Sequence, residues 1–228
     1  MKLFFALIAA LPGLVFAAGI PAPEMLGEVD SSLTSRRMIY PADSKKRIAA
    51  KAVKDGFALL GKKQLPEAMA EFNRAWRFAP DHYASWWGAG IVRGIQAEPE
   101  SDQARRCQYI ADSVKLLEKA VELAPVQEKI NAKCDLVQSY SLCCKQFQSV
   151  GKSAEADSYL AKGKALTDEL LKSAPASGRV HYQAAINHFY RDDFAGALRE
   201  IGEAERLGAP IDPAFKADVL KSNITPAK

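Results

Sequence analysis

The chain is poor in the residues that usually carry chemistry. Its 228 residues include three histidines, His82, His181 and His188, and neither an HExxH nor a CxxCH spacing. The common zinc-protease and haem-attachment signatures are therefore excluded. No glycine-rich loop is present to cradle a phosphate. Positive charge is scattered: Lys45-Lys46-Arg47, Lys62-Lys63 and Arg105-Arg106 are small clusters, and the formal net charge is +4. Nucleic-acid binding needs a concentrated basic stripe, so nucleic acid is not an expected partner. Beyond Phe16 no apolar run approaches the roughly 20 residues that span a bilayer. What remains is a globular composition, with 48% hydrophobic and 25% charged residues, enough apolar material to bury a core.

The N-terminus reads as an export signal. Met1-Lys2 supplies a short positive start, Leu3 to Phe16 an apolar run broken at Pro12-Gly13, and Val15-Phe16-Ala17 the small residues at a cleavage site. Cleavage is expected after Ala17, or one or two residues later, with an uncleaved anchor as the alternative. No cysteine lies near that site, which argues against a lipid-anchored form. The mature chain, about 210 residues, is long enough for one large domain or one repeat array. Residues 18–43 are rich in Pro, Ser and Gly and are expected to form an extended or disordered arm.

From residue 44 onward small and large residues recur at fixed intervals. In GFALLGKKQLPEAMAEFNRAWRFAP, Gly56 is followed by Ala68 twelve residues later, then by Phe72, Ala75 and Pro80 at steps of four, three and five. Small residues at the first, second and fourth positions let helices approach closely, Phe72 fills the seam, and Pro80 stops the helix. Trp86, Gly90, Ser113, Leu117, Ala120 and Pro125 repeat the pattern with a longer hairpin whose loop is expected at Ala97 to Ser101. Cys144, Ala156, Leu160 and Gly163 repeat it again, with Pro175 late, and Ala185, Ala197, Ile201 and Ala204 a fourth time, with Phe194 opening the second helix. Asp43-Ser44 is expected to cap the first helix, and Asp212-Pro213 opens a short last one.

This spacing resembles the tetratricopeptide repeat, a helix–turn–helix unit of about 34 residues. The resemblance implies an all-α, right-handed solenoid of about four hairpins, at 44–80, 81–125, 126–175 and 178–209. A capping helix at 213–222 and a tail at 223–228 follow. In that family the first helix of each hairpin lines a concave groove that receives a peptide or helix. Matched to the repeat frame, the lining residues are Phe57 and Leu60, then Trp87, Ile91 and Ile95, then Tyr182, Ile186 and Phe189. Ser141, Lys145 and Gln148 form a polar interruption in the third hairpin. Trp86, Phe72 and Tyr140 fall in the hairpin seams. Some members grip a terminal carboxylate with Lys and Asn, but Val53 and Phe57 stand at those places here. Leu, Phe or Tyr anchors on the partner suit an apolar groove better. The competing reading is that these side chains are core, packed by the arm or by neighbouring hairpins.

Cys107, Cys134, Cys143 and Cys144 would sit in an oxidising compartment if the chain is exported. Cys107 lies 18 residues before Pro125 and Cys144 19 after it, so a hairpin folded there sets the two level. A Cys107–Cys144 disulfide is the expected pairing, with Cys143 as competing partner and Cys134 unpaired. The alternative makes Cys143 and Cys144 small core residues. No cofactor and no catalytic residue is expected. The functional expectation is a non-enzymatic, periplasmic or cell-envelope scaffold that binds a partner protein, in a class of exported proteins active in pilus, outer-membrane or secretion assembly. Two rivals remain: a carrier of a small apolar ligand, and a thiol or metal-dependent enzyme using Cys143-Cys144 or His181 and His188 with Asp192 or Asp193.

Overall fold

Proline and left-handed turn residues divide the chain into helices. A computed structural model describes residues 23–26 and 40–224. The expected signal at 1–17, most of the arm and the last residues of the tail lie outside these. Among the described residues the fold is all-α, with nine helices, one 3-10 turn at Glu24–Leu26 and no strand. The helices are α1 Ala42–Gly61, α2 Leu65–Phe78, α3 Tyr83–Ala97, α4 Gln103–Leu123, α5 Val126–Ser149, α6 Ser153–Ser173, α7 Gly178–Phe189, α8 Phe194–Arg206 and α9 Pro213–Ile224. Four helix connections turn through a left-handed residue: Lys63 between α1 and α2, Gly151 between α5 and α6, Asp192 between α7 and α8, and Gly208 between α8 and α9. Side-chain caps hold α4, α7 and α8, where Asp102, Ser177 and Asp193 accept from Arg105, Val180 and Gly196. The first helix departs from expectation. It starts before Asp43-Ser44, with Pro41 at the N-cap and no side-chain cap bond, because proline's fixed φ and missing N–H suit a helix start.

The described residues fall into an N-terminal unit ending at Gln127 and a C-terminal unit beginning at Glu128. In the first, α1 packs on α2, α3 on α4, and α2 on α3. Phe72 of α2 is the centre of this unit and is fully buried. It is gripped by two glycines: a Cβ on Gly56 of α1 would stand 2.8 Å from its ring, and one on Gly88 of α3 would overlap it. Ser113 of α4 donates to the Gly90 carbonyl of α3 at 2.8 Å, so the small residues of the second hairpin do meet. Around them Ala49, Ala52, Val53, Ala75, Ala79 and Ala84 form an alanine-rich seam shared by α1, α2 and α3. The piece of arm described here is ordered. The Glu24 N–H donates to Asn73 Oδ1 at 3.0 Å, Arg77 ion-pairs with Glu24, and Met25 is buried, which seats the turn on α2.

In the C-terminal unit α7 packs on α8 and on α6, and α9 packs on α8. One apolar cluster joins α5, α6 and α7 through Cys134, Val137, Leu170 and Val180. A second joins α7, α8 and α9 through Ala185, Ala197, Ile201 and Val219.

Candidate partner-binding surface

The first helices of the two N-terminal hairpins, α1 and α3, stand side by side and are joined by an aromatic run. Phe57 meets Phe72 edge-on at 5.1 Å and Trp87 at 5.9 Å. Tyr83 stacks on Trp87 at 6.2 Å, and His82 stacks on Tyr83 at 5.9 Å. Such rings prefer edge-to-face or offset contact, and each pair contributes about 0.5–1.5 kcal/mol beyond burial. The consequence for recognition is unequal exposure. Trp87 keeps 3% of its surface, Leu60 3% and Ile91 2%, so these three expected groove residues are core. Phe57 and Ile95 stay half-buried, as does Tyr83, which the repeat frame had not singled out.

In the C-terminal unit the expected groove residues meet the last helix instead. Phe215 of α9 lies edge-on to Tyr182 at 5.8 Å and to Phe189 at 5.5 Å, and Phe194 touches Phe189 at 5.7 Å. Burial raises the pKa of the Tyr182 hydroxyl, and the Asp212 backbone, just before α9, opposes that rise. A covering role for this helix was expected; that it covers Tyr182 and Phe189 themselves was not. Ile186 remains half-buried, Ser141 is buried, and Lys145 and Gln148 are exposed.

Between α5 and α7 the interior is polar. Arg179 donates to Asn131 Oδ1 at 3.2 Å and ion-pairs with Asp135, whose side chain is 2% exposed. One turn on, Gln183 Nε2 donates to Gln138 Oε1 at 3.3 Å. A further turn on, the Asn187 amide lies over Gly163, where any Cβ would meet it at 2.7 Å. Gln183 Oε1 and Asn187 Nδ2 have no hydrogen-bond partner among the described residues.

No protein-family model, curated protein or solved structure matches this chain.

The histidines do not converge. His181 Nδ1 lies 2.6 Å from Glu200 Oε2, while His188 Nδ1 lies 2.7 Å from Asp193 Oδ2. Asp193 is held below the usual carboxylate range, first by the Gly196 N–H and then by His188. Among the described residues no group of three His, Cys, Asp or Glu side chains is placed to hold a metal.

No disulfide joins the four cysteines. Cys107 belongs to the N-terminal unit and is half-buried; Cys144 belongs to the C-terminal unit and is fully buried. A count of residues about Pro125 says nothing of the direction a side chain takes around its helix. Burial raises the pKa of Cys144, and the charges of Asp157 and Asp192 raise it further. Burial pushes Cys134 up to about 12, which keeps it protonated and unreactive.

Proposed function

We propose that the chain is a non-enzymatic, tetratricopeptide-like scaffold, exported to the periplasm or cell envelope, that binds a partner protein or peptide. In this reading the hairpins α1–α2, α3–α4, α5–α6 and α7–α8 are successive repeats of a right-handed solenoid and α9 is its cap. The observation that carries it is the lateral contact of Phe57 on α1 with Trp87 on α3. A groove lined by first helices requires that successive first helices touch, and Gly56 and Gly88 make room for the Phe72 ring of α2 beside that contact. Recognition centres on the N-terminal unit, where the half-buried Phe57, Tyr83 and Ile95 border a rigid floor of Trp87 and Ile91. Aromatic anchors of this kind dominate binding hot spots. Tyr182 leaves the partner surface because Phe215 covers it, while Phe189, also in contact with Phe215, stays half-buried.

The test uses the tagged chain as it matures in its host. Recovery from the periplasmic fraction with a N-terminus near Ala18 supports export, and retention of residues 1–17 in the cytoplasm overturns it. Affinity capture from envelope extract is then compared with Ile95→Glu, whose Trp fluorescence must match the parent. A protein held by the parent and lost by the variant supports the groove; equal capture by both removes it.

A further inference from the structure

His181 has both ring nitrogens against oxygens that only accept. Nδ1 faces Glu200 Oε2 at 2.6 Å and Nε2 faces the Pro175 carbonyl at 2.8 Å. A carbonyl oxygen has no proton to give, and neither does an ionised carboxylate. Neutral imidazole has a single N–H, so either tautomer would set a lone pair against an acceptor. We propose that His181 binds a proton in the folded protein, and that the resulting imidazolium is a pH-dependent latch fastening α8 and the α6–α7 linker to α7.

The proton count follows from geometry. The His181–Glu200 pair holds one proton more than neutral imidazole beside an ionised carboxylate. It resides on the ring because imidazole is the stronger base by about two pKa units. The charged groups facing the ring are Glu200 and Glu203 of α8; the linker contributes the Pro175 carbonyl. Glu203 is itself shared with Arg206, 2.7 Å away, which leaves Glu200 as the principal counter-charge. Burial opposes the positive ring, with 13% of the side chain exposed. The bonds to Pro175 and Glu200 outweigh it, so the pKa is raised. The other histidines lack this pairing of acceptors. Burial lowers His82, whose Nδ1 lacks a hydrogen-bond partner among the described residues, and His188 shares Asp193 with the α8 cap.

A raised folded-state pKa gives a definite sign. The latch stabilises fully below the unfolded imidazole value, about 6.5, and is lost as pH rises through the higher folded value. The last hairpin should therefore tighten on mild acidification and loosen toward alkaline pH. This response does not depend on what the chain binds.

The test is a histidine Cε1–H NMR titration of the full chain, with resonances assigned from His82→Asn, His181→Asn and His188→Asn. His181 is expected to titrate above the ordinary imidazole range and His82 below it, and Glu200→Gln is expected to bring His181 down while leaving His82 in place. Hydrogen exchange follows the latch. Protection factors of α8 amides should fall across the His181 titration, measured against amides of the N-terminal unit, and the fall should vanish in Glu200→Gln. Titration of His181 at or below the ordinary range in the parent overturns the proposal, as does a value that Glu200→Gln does not move. A raised value with flat α8 protection overturns the latch.

Discussion

The two units are built from the same element, a pair of packed helices, and fill it in opposite ways. The N-terminal unit closes on Phe72, Trp76 and Trp87 with glycine and alanine where helices cross. The C-terminal unit buries Asp135, Gln138 and Gln183 between α5 and α7, and Asn187 over Gly163 of α6. An apolar, close-packed interior is sensitive to volume, because neighbours relax little around a lost or added methyl. A polar interior is sensitive to partners, because an orphaned charge or amide loses its solvation without compensation. The intrinsic probes separate along the same line. Trp76, Trp86 and Trp87 all report on the first unit, and His181 and His188 on the second.

The contrast is easiest to break at Phe72. Phe72→Ala should destabilise the N-terminal unit by about 3–5 kcal/mol, seen as a lower denaturation midpoint in tryptophan fluorescence. A loss under 1 kcal/mol would mean that the ring is not the keystone. The corresponding change in the second unit is Arg179→Met, which keeps the aliphatic stem but removes the ion pair with the buried Asp135 carboxylate. A fully buried charge pair broken this way costs about 3–5 kcal/mol. Arg179 is 37% exposed, so water reaches the site and about 2 kcal/mol is expected, read from the His181 and His188 resonances on denaturation. Gln138→Leu with Gln183→Leu removes both members of an amide pair and should shift stability by less than about 1 kcal/mol, in either direction. A larger loss would mean that the amides fix the register of α5 against α7.

The smallest effect is chemical. After denaturation without reductant all four cysteines should alkylate, and in the folded protein Cys107 should react well before Cys134. Mass spectrometry of the quenched reaction reads both, and two unalkylated cysteines after denaturation would contradict the absence of a disulfide.

Helical character, hairpin turns and the crossing of small residues were legible in the chain. Pro66 lies in the first turn of α2, and residues 98–102 separate α3 from α4 at the AEPES segment. The repeat spacing does not include Gly88, although the run Gly88-Ala89-Gly90 within a helix is a visible sign of close approach. The candidate surface was less legible. Trp87 and Phe57 share one repeat face in the pattern, yet the first is core and the second half-exposed, because Tyr83 and Phe57 themselves cover Trp87. The polar seam carried no local signal. Arg179, Gln183 and Asn187 lie on one face of α7, but only α5 and Gly163 of α6 give that face its meaning.

The sequence by itself determined where helices run and which of their positions are small, since both depend on spacing along one segment. Proline, glycine and alanine act there through backbone freedom and Cβ size. Only the tertiary structure decided which apolar faces are covered. Phe215 reaches Tyr182 from 33 residues away in sequence, and Cys144 is buried within its own unit. Burial is a property of the elements packed against a residue, and no period within its own helix contains them.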